Sequence, residues 1–149
     1  MPFNILQWTS SGTYSTLLTS SELTGLTTGT GVLGGTIQTN NKDQYAHVEI
    51  QMLSTGALAS GDFLSVYWIS AADNTNYEDG GASVTPARSP DVIIPVRAVT
   101  NSSQRVTIKN VPLPGGNFKV LLFNQMSTKL DTTSNILSFR PVNDQITTG

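Results

Sequence analysis

The chain reads as all-β: an antiparallel β-sandwich or jelly roll of about eight strands, preceded by an extended N-terminal arm. Three observations carry this expectation. Residues 45–52 and 104–111 alternate apolar and polar side chains with period two, the signature of a strand with one wet face. The other apolar runs are short and cut by Gly, Pro, Asn and Asp, as in sandwiches and barrels. No stretch shows the 3.6-residue periodicity of a good helix.

Taken in order, 4–8 and 13–18 read as short or edge strands. Thr19 to Thr30 is Thr-, Ser- and Gly-rich and reads as a loop or arm. Residues 31–39 form a strand weakened by Gly34 and Gly35. In 45–52, Ala46, Val48, Ile50 and Met52 face the core, and Tyr45, His47, Glu49 and Gln51 face solvent. Ser60-Gly61-Asp62 is a turn. Phe63 to Ile69 is apolar on both faces and reads as a central strand. Asp73 to Gly81 is a loop. In 91–99, Pro95 directs the strand to an edge or a bulge. In 104–111, Val106 and Ile108 point inward. Pro112 to Gly116 is a turn, and 118–123 and 135–140 are the last strands. Residues 1–42 are therefore assigned to an N-terminal arm and edge strands, and 43–149 to the sandwich.

Composition narrows the function. Charged residues are 12% of the chain, about half the usual share, yet 38% of it is apolar, which suits a folded domain with a hydroxyl- and amide-rich surface rather than disorder. With a net charge of −2 and scattered Lys and Arg there is no basic stripe for nucleic acid. The absence of cysteine removes disulfides, thiolate nucleophiles and Cys-based zinc sites. Met1-Pro2-Phe3-Asn4 does not open a signal peptide, and no apolar run reaches the ~20 residues of a membrane span.

Gly29-Thr30-Gly31-Val32-Leu33-Gly34 spells G-x-G-x-x-G, but no helix follows to receive a pyrophosphate, so a Gly-rich strand entry is the better reading. Asp73 to Gly80 offers carboxylates and amides in one loop. It fails the EF-hand spacing at Thr75 and Tyr77; a looser calcium site stays open, beside a solvated loop tip anchored by Tyr77. His47 is the only histidine and shares a strand face with Glu49. A triad assembled in space stays open, but no G-x-S-x-G elbow is present, and a surface histidine is the reading adopted. For glycans, Trp8, Tyr14 and Tyr45 are candidate ring platforms, whereas Trp68 belongs in the core. Asn101-Ser102-Ser103 is a sequon by spelling, in a Ser/Asn-rich turn. No catalytic, cofactor or metal residue is assigned, and the chain is read as a non-enzyme.

From Leu58 to Gln145 a series of segments carries a resemblance. They are Ala59-Ser60-Gly61-Asp62-Phe63-Leu64, Tyr67-Trp68-Ile69-Ser70, Asn76-Tyr77-Glu78-Asp79-Gly80, Pro86-Ala87-Arg88-Ser89-Pro90-Asp91, Pro95-Val96-Arg97-Ala98-Val99, Val111 to Lys119, and Asn135 to Pro141. In this order they resemble a family of small virion proteins of tailed double-stranded DNA bacteriophages. The resemblance implies a capsid decoration (cement) protein: a homotrimer or dimer on the capsid surface of the virion that stabilises the lattice of the major capsid protein. It implies no cofactor, and no nucleic-acid or membrane partner. An N-terminal arm commonly grips the capsid in such proteins, and residues 1–42 resemble one in composition. The partner-binding residues are then Phe3, Ile5, Leu6, Trp8, Tyr14, Leu17 and Leu18. The alternative is a tail, fibre or neck component that binds glycans.

Overall fold

The computed structural model describes residues 4–10, 12–40 and 42–148, and they form a sandwich of two antiparallel sheets. The first sheet is built on β10 (Ile136–Thr148), with β5 (Tyr45–Met52) along one edge and β8 (Gln104–Pro112) beyond β5. Along the other edge of β10 lie β1 (Asn4–Ser10), opposite 142–148, and β2 (Ser15–Leu18), opposite 137–139. The second sheet is built on β9 (Gly116–Asn124), with β6 (Phe63–Ala71) along one edge and β7 (Val92–Pro95) beyond it. The other edge of β9 takes β3 (Gly31–Leu33) opposite 121–123 and β4 (Gln38–Asn40) opposite 116–118.

The alternating strands behave as their pattern dictates. Ala46, Val48, Ile50 and Met52 are buried while their polar neighbours in β5 are half-exposed. In the second sheet the even positions Leu64, Val66, Trp68, Phe118, Val120 and Leu122 fill the space between the sheets. The odd positions Tyr67, Ile69, Leu121 and Phe123 form a separate apolar cluster on the opposite face, with Leu33 and Tyr77 packed against it. That is why 63–69 reads as apolar on both faces: β6 is central, and its outer side is covered too. The cover is the excursion between β6 and β7, bound to the sheet by hydrogen bonds from Glu78 N to Ser70 O (3.1 Å) and from Gly31 N to Ala82 O (2.9 Å). Gly80 sits so close that a Cβ there would lie 2.7 Å from Ile69 Cδ1.

Pro95 ends an edge strand, as expected. Several boundaries differ. The described residues contain ten strands, because the Gly34-Gly35 step divides 31–39 into β3 and β4. The chain also runs on through Pro141, making β10 13 residues long.

Within residues 1–42, assigned to an arm and edge strands, the edge strands are present at 15–18, 31–33 and 38–40, and the difference is that residues 15–40 also supply core rather than extending as an arm. Leu17, Leu18, Leu23 and Leu26 belong to the main core cluster, with Leu18 and Leu23 at 0% exposure. The Thr19–Thr30 segment opens with one helical turn, α1 (Ser20–Leu23). Thr19 Oγ1 accepts from Glu22 N and Glu22 Oε2 accepts from Thr19 N at 2.8 Å, a capping box.

Trp68 is held at three points. Its indole Nε1 donates to Pro112 O (3.0 Å), its backbone N donates to Asp91 Oδ2 (2.7 Å), and its carbonyl accepts from Arg88 (2.8 Å). Its ring meets Phe118 edge-on at 5.5 Å. Trp68→Ala is expected to lose about 3–5 kcal/mol in denaturant unfolding, whereas Trp68→Phe keeps most of the ring contact. Deleting residues 1–20 strips β10 of its second edge and removes Leu17 and Leu18. The truncated chain is expected to lose its cooperative unfolding transition and to aggregate; a folded, soluble product would return this segment to the role of an arm.

Candidate functional site

The outer face of the first sheet is open and polar, and one row across it stands out. β10 pairs with β5 so that Arg140 lies opposite His47. Beyond His47 the β5–β8 register shifts, and Lys109 and Asn110 together face it. Asn110 takes a left-handed φ of 57°, tolerable for Asn, and its N–H donates to His47 Nδ1 at 3.2 Å. On the other side of β10, Tyr14 lies just ahead of β2, and the Arg140 guanidinium stands 5.4 Å over its ring. The row is thus Tyr14, Arg140, His47, Lys109. Arg140 Nε is buried with no hydrogen-bond acceptor, and among the described residues no carboxylate is paired with this guanidinium. Glu49, in the neighbouring row, accepts from Thr107 (3.0 Å) and lies 3.7 Å from Arg105 Nε. Burial, followed by the charges of Arg140 and Lys109, holds His47 below the usual histidine value.

A second polar cluster lies at one end of the sandwich. Arg88 Nε and one Nη donate to the two oxygens of Glu78 (3.0 and 2.7 Å); the remaining bonds go to Asp91 Oδ2 (2.7 Å), Trp68 O (2.8 Å) and Ser89 O (3.3 Å). All five guanidinium N–H groups are engaged, so Arg88 has none left for a ligand. It is a clamp that ties the excursion over β6 to the strand beneath. The bond to Arg88 holds the Glu78 carboxyl below its ordinary range, and the same bond raises Arg88. Two shallow hollows flank the Pro112 to Gly115 turn. One, about 370 Å³, is bordered by Trp68, Arg88 and Leu113; the other, about 480 Å³, by Tyr45, Lys42, Asp43 and Gln44.

The remaining candidates resolve structurally. In the 73–81 loop, Asp73 Oδ1 accepts from the backbone N–H of Thr75 (2.9 Å) and Asn76 (2.7 Å), and Glu78 is held by Arg88. Among the described residues no cluster of His, Asp and Glu could hold a metal. Tyr77 packs inward as the anchor, with Lys119 Nζ 4.7 Å over its ring. In the G-x-G-x-x-G stretch, Gly31 lets β3 pass beside Phe123, whose ring a Cβ would meet at 2.6 Å. Asn101 is exposed in a bend with a left-handed φ of 45°.

Of the predicted partner-binding residues, Tyr14 is exposed and belongs to the row. Leu17 and Leu18 are buried in the core and have no side-chain surface to offer a partner. Phe3 and the side chains of Ile5, Leu6 and Trp8 lie outside the described residues; in β1, Trp8 pairs with Asp144. Sequence reasoning missed Arg140 and Arg88. It also missed the buried amides, which stand in for backbone partners. Asn124 donates to Leu26 O and Thr128 O and accepts from Met126 N. Asn135 accepts from Leu53 N, and Gln104 caps both backbone groups of Arg97.

Compared with known proteins, the chain matches no family model, no curated protein and no solved structure.

Arg88→Lys keeps a charge but loses the five-donor fork, and is expected to cost about 1–3 kcal/mol in denaturant unfolding. Stability is also expected to fall with acid in two stages. His47 is depressed in the folded chain, so the unfolded chain takes its proton first and stability declines once pH drops below about 6.5. Glu78 is depressed as well, and its contribution, complete above about pH 4.5, is lost on further acidification. Urea midpoints measured from pH 8 to pH 3 test both stages, and His47→Gln should flatten only the upper one.

Proposed function

We propose that this chain is a non-enzymatic structural protein of a phage virion, acting as a capsid decoration protein that binds the outside of the head and stabilises the major capsid protein lattice. One observation carries the reading. Four of the seven segments that resemble phage virion proteins meet in one clamp, through Trp68, Glu78, Arg88, Asp91 and Pro112. This supports reading those four segments as parts of one structural unit.

With residues 15–40 built into the sandwich, docking falls to the faces and ends of the sandwich. Ligands that bind only the assembled lattice stabilise it by mass action, and a trimer or dimer bridging capsomers raises each modest contact through effective concentration. The runner-up, a tail, fibre or neck component that binds glycans, draws on the exposed Tyr14 ring beside Arg140.

Cryo-electron microscopy of the particle that carries this protein tests the proposal. Density repeated over the icosahedral shell is expected. Density confined to the tail would replace the proposal with the runner-up, and a protein absent from purified particles would end both.

A further inference from the structure

The row on the first sheet offers hydrogen-bond donors and few acceptors. Asn110 N–H occupies His47 Nδ1, which fixes the neutral imidazole as the tautomer with its proton on Nε2. His47 therefore presents a donor to its surroundings. Lys109 and the Arg140 guanidinium are donors only. Tyr14 supports Arg140 by its ring face, so stacking rather than hydrogen bonding holds the guanidinium in place. The nearest acid in the adjoining row, Glu49, is engaged by Thr107 and Arg105. Three donor side chains share one row, and among the described residues none of them forms an ion pair with an acid.

We propose that Arg140, His47 and Lys109, with Tyr14 as a supporting ring, form a binding site for a carboxylate group. A planar carboxylate fits the guanidinium fork, and its single charge suits a patch bordered by Glu49 better than a phosphate dianion would. His47 Nε2–H and Lys109 add donors from the β5 and β8 side. The site does not depend on the virion reading: an acidic side chain of any protein partner and an acidic sugar present the same group.

The test is nuclear magnetic resonance of the full chain, following the His47 ring protons through pH titrations in sodium acetate and in sodium chloride of equal ionic strength. A bound carboxylate favours the imidazolium, so acetate is expected to raise the His47 pKa by about half a unit or more over chloride. Arg140→Gln should abolish the difference, and Arg140→Lys should keep only part of it. Equal values in the two salts, or a full response in Arg140→Gln, would overturn the site. Titration with a short Asp- and Glu-containing peptide and with glucuronic acid then separates the sources. Tighter binding of the peptide assigns the carboxylate to a protein partner, tighter binding of glucuronic acid assigns it to a glycan, and a response to neither overturns the site.

Discussion

The long strands β10 and β9 on which the two sheets are built each have two edges, and the backbone groups along both edges need partners. The rest of the fold follows from that requirement. β5 takes one edge of β10 and β6 takes one edge of β9. The opposite edges are filled by the first forty residues, β1 and β2 on β10 and then β3 and β4 on β9. Between these pairs the chain must pass from one sheet to the other. The turn of α1 carries it across, with Leu23 and Leu26 buried beneath. The Thr- and Ser-rich composition suits this task, since such residues pair readily in strands without the bulk that would force a third layer. An unpaired strand edge on this scale would be a template for aggregation, so these residues protect the molecule as well as complete it.

The two outer faces differ in kind. The outer face of the second sheet is apolar and is covered by the excursion between β6 and β7, which Arg88 fastens. That of the first sheet carries Glu49, Thr107, Arg105, His47 and Arg140, with Arg105 and Thr107 exposed and His47, Glu49 and Arg140 half-buried. One face is closed by the chain's own packing and the other is left for solvent or a partner. His47 and Arg140 are displayed there from β5 and β10, strands paired along both edges, and Lys109 from the edge strand β8.

This division explains what the sequence could convey. Strands β5, β6 and β8, the edge position of Pro95 and the burial of Trp68 were legible, because alternation and apolar content are local. The edge strands within residues 15–40 were legible too, but the burial of Leu17, Leu18, Leu23 and Leu26 and the sheet each strand joins were not. These strands are only three or four residues long, and the partners that define them lie 76 to 124 positions away in β9 and β10. The capping box of Thr19 and Glu22 was legible in principle, as Thr-Ser-Ser-Glu ahead of Leu23. The donor row was not legible at all. It depends on a register that sets Arg140 against His47 and on a bulge at Asn110, and neither leaves a mark in composition or spacing.

The two stacked arginines give the strongest internal comparison. Arg88 stands 5.7 Å over Tyr67 and Arg140 stands 5.4 Å over Tyr14, so each guanidinium rests on an aromatic face. Arg88 meets two carboxylates and two carbonyls, and every donor is engaged. Arg140 has a buried Nε–H without an acceptor. A donor left unsatisfied costs about 1–3 kcal/mol. The contact with the Tyr14 ring offsets part of this cost. Within one chain the same residue type is fully used at the closed face and left open at the exposed one. That contrast is between a guanidinium consumed by the fold and one whose outer N–H groups have no carboxylate partner among the described residues, which is why the proposed carboxylate site lies at Arg140 and not at the clamped end.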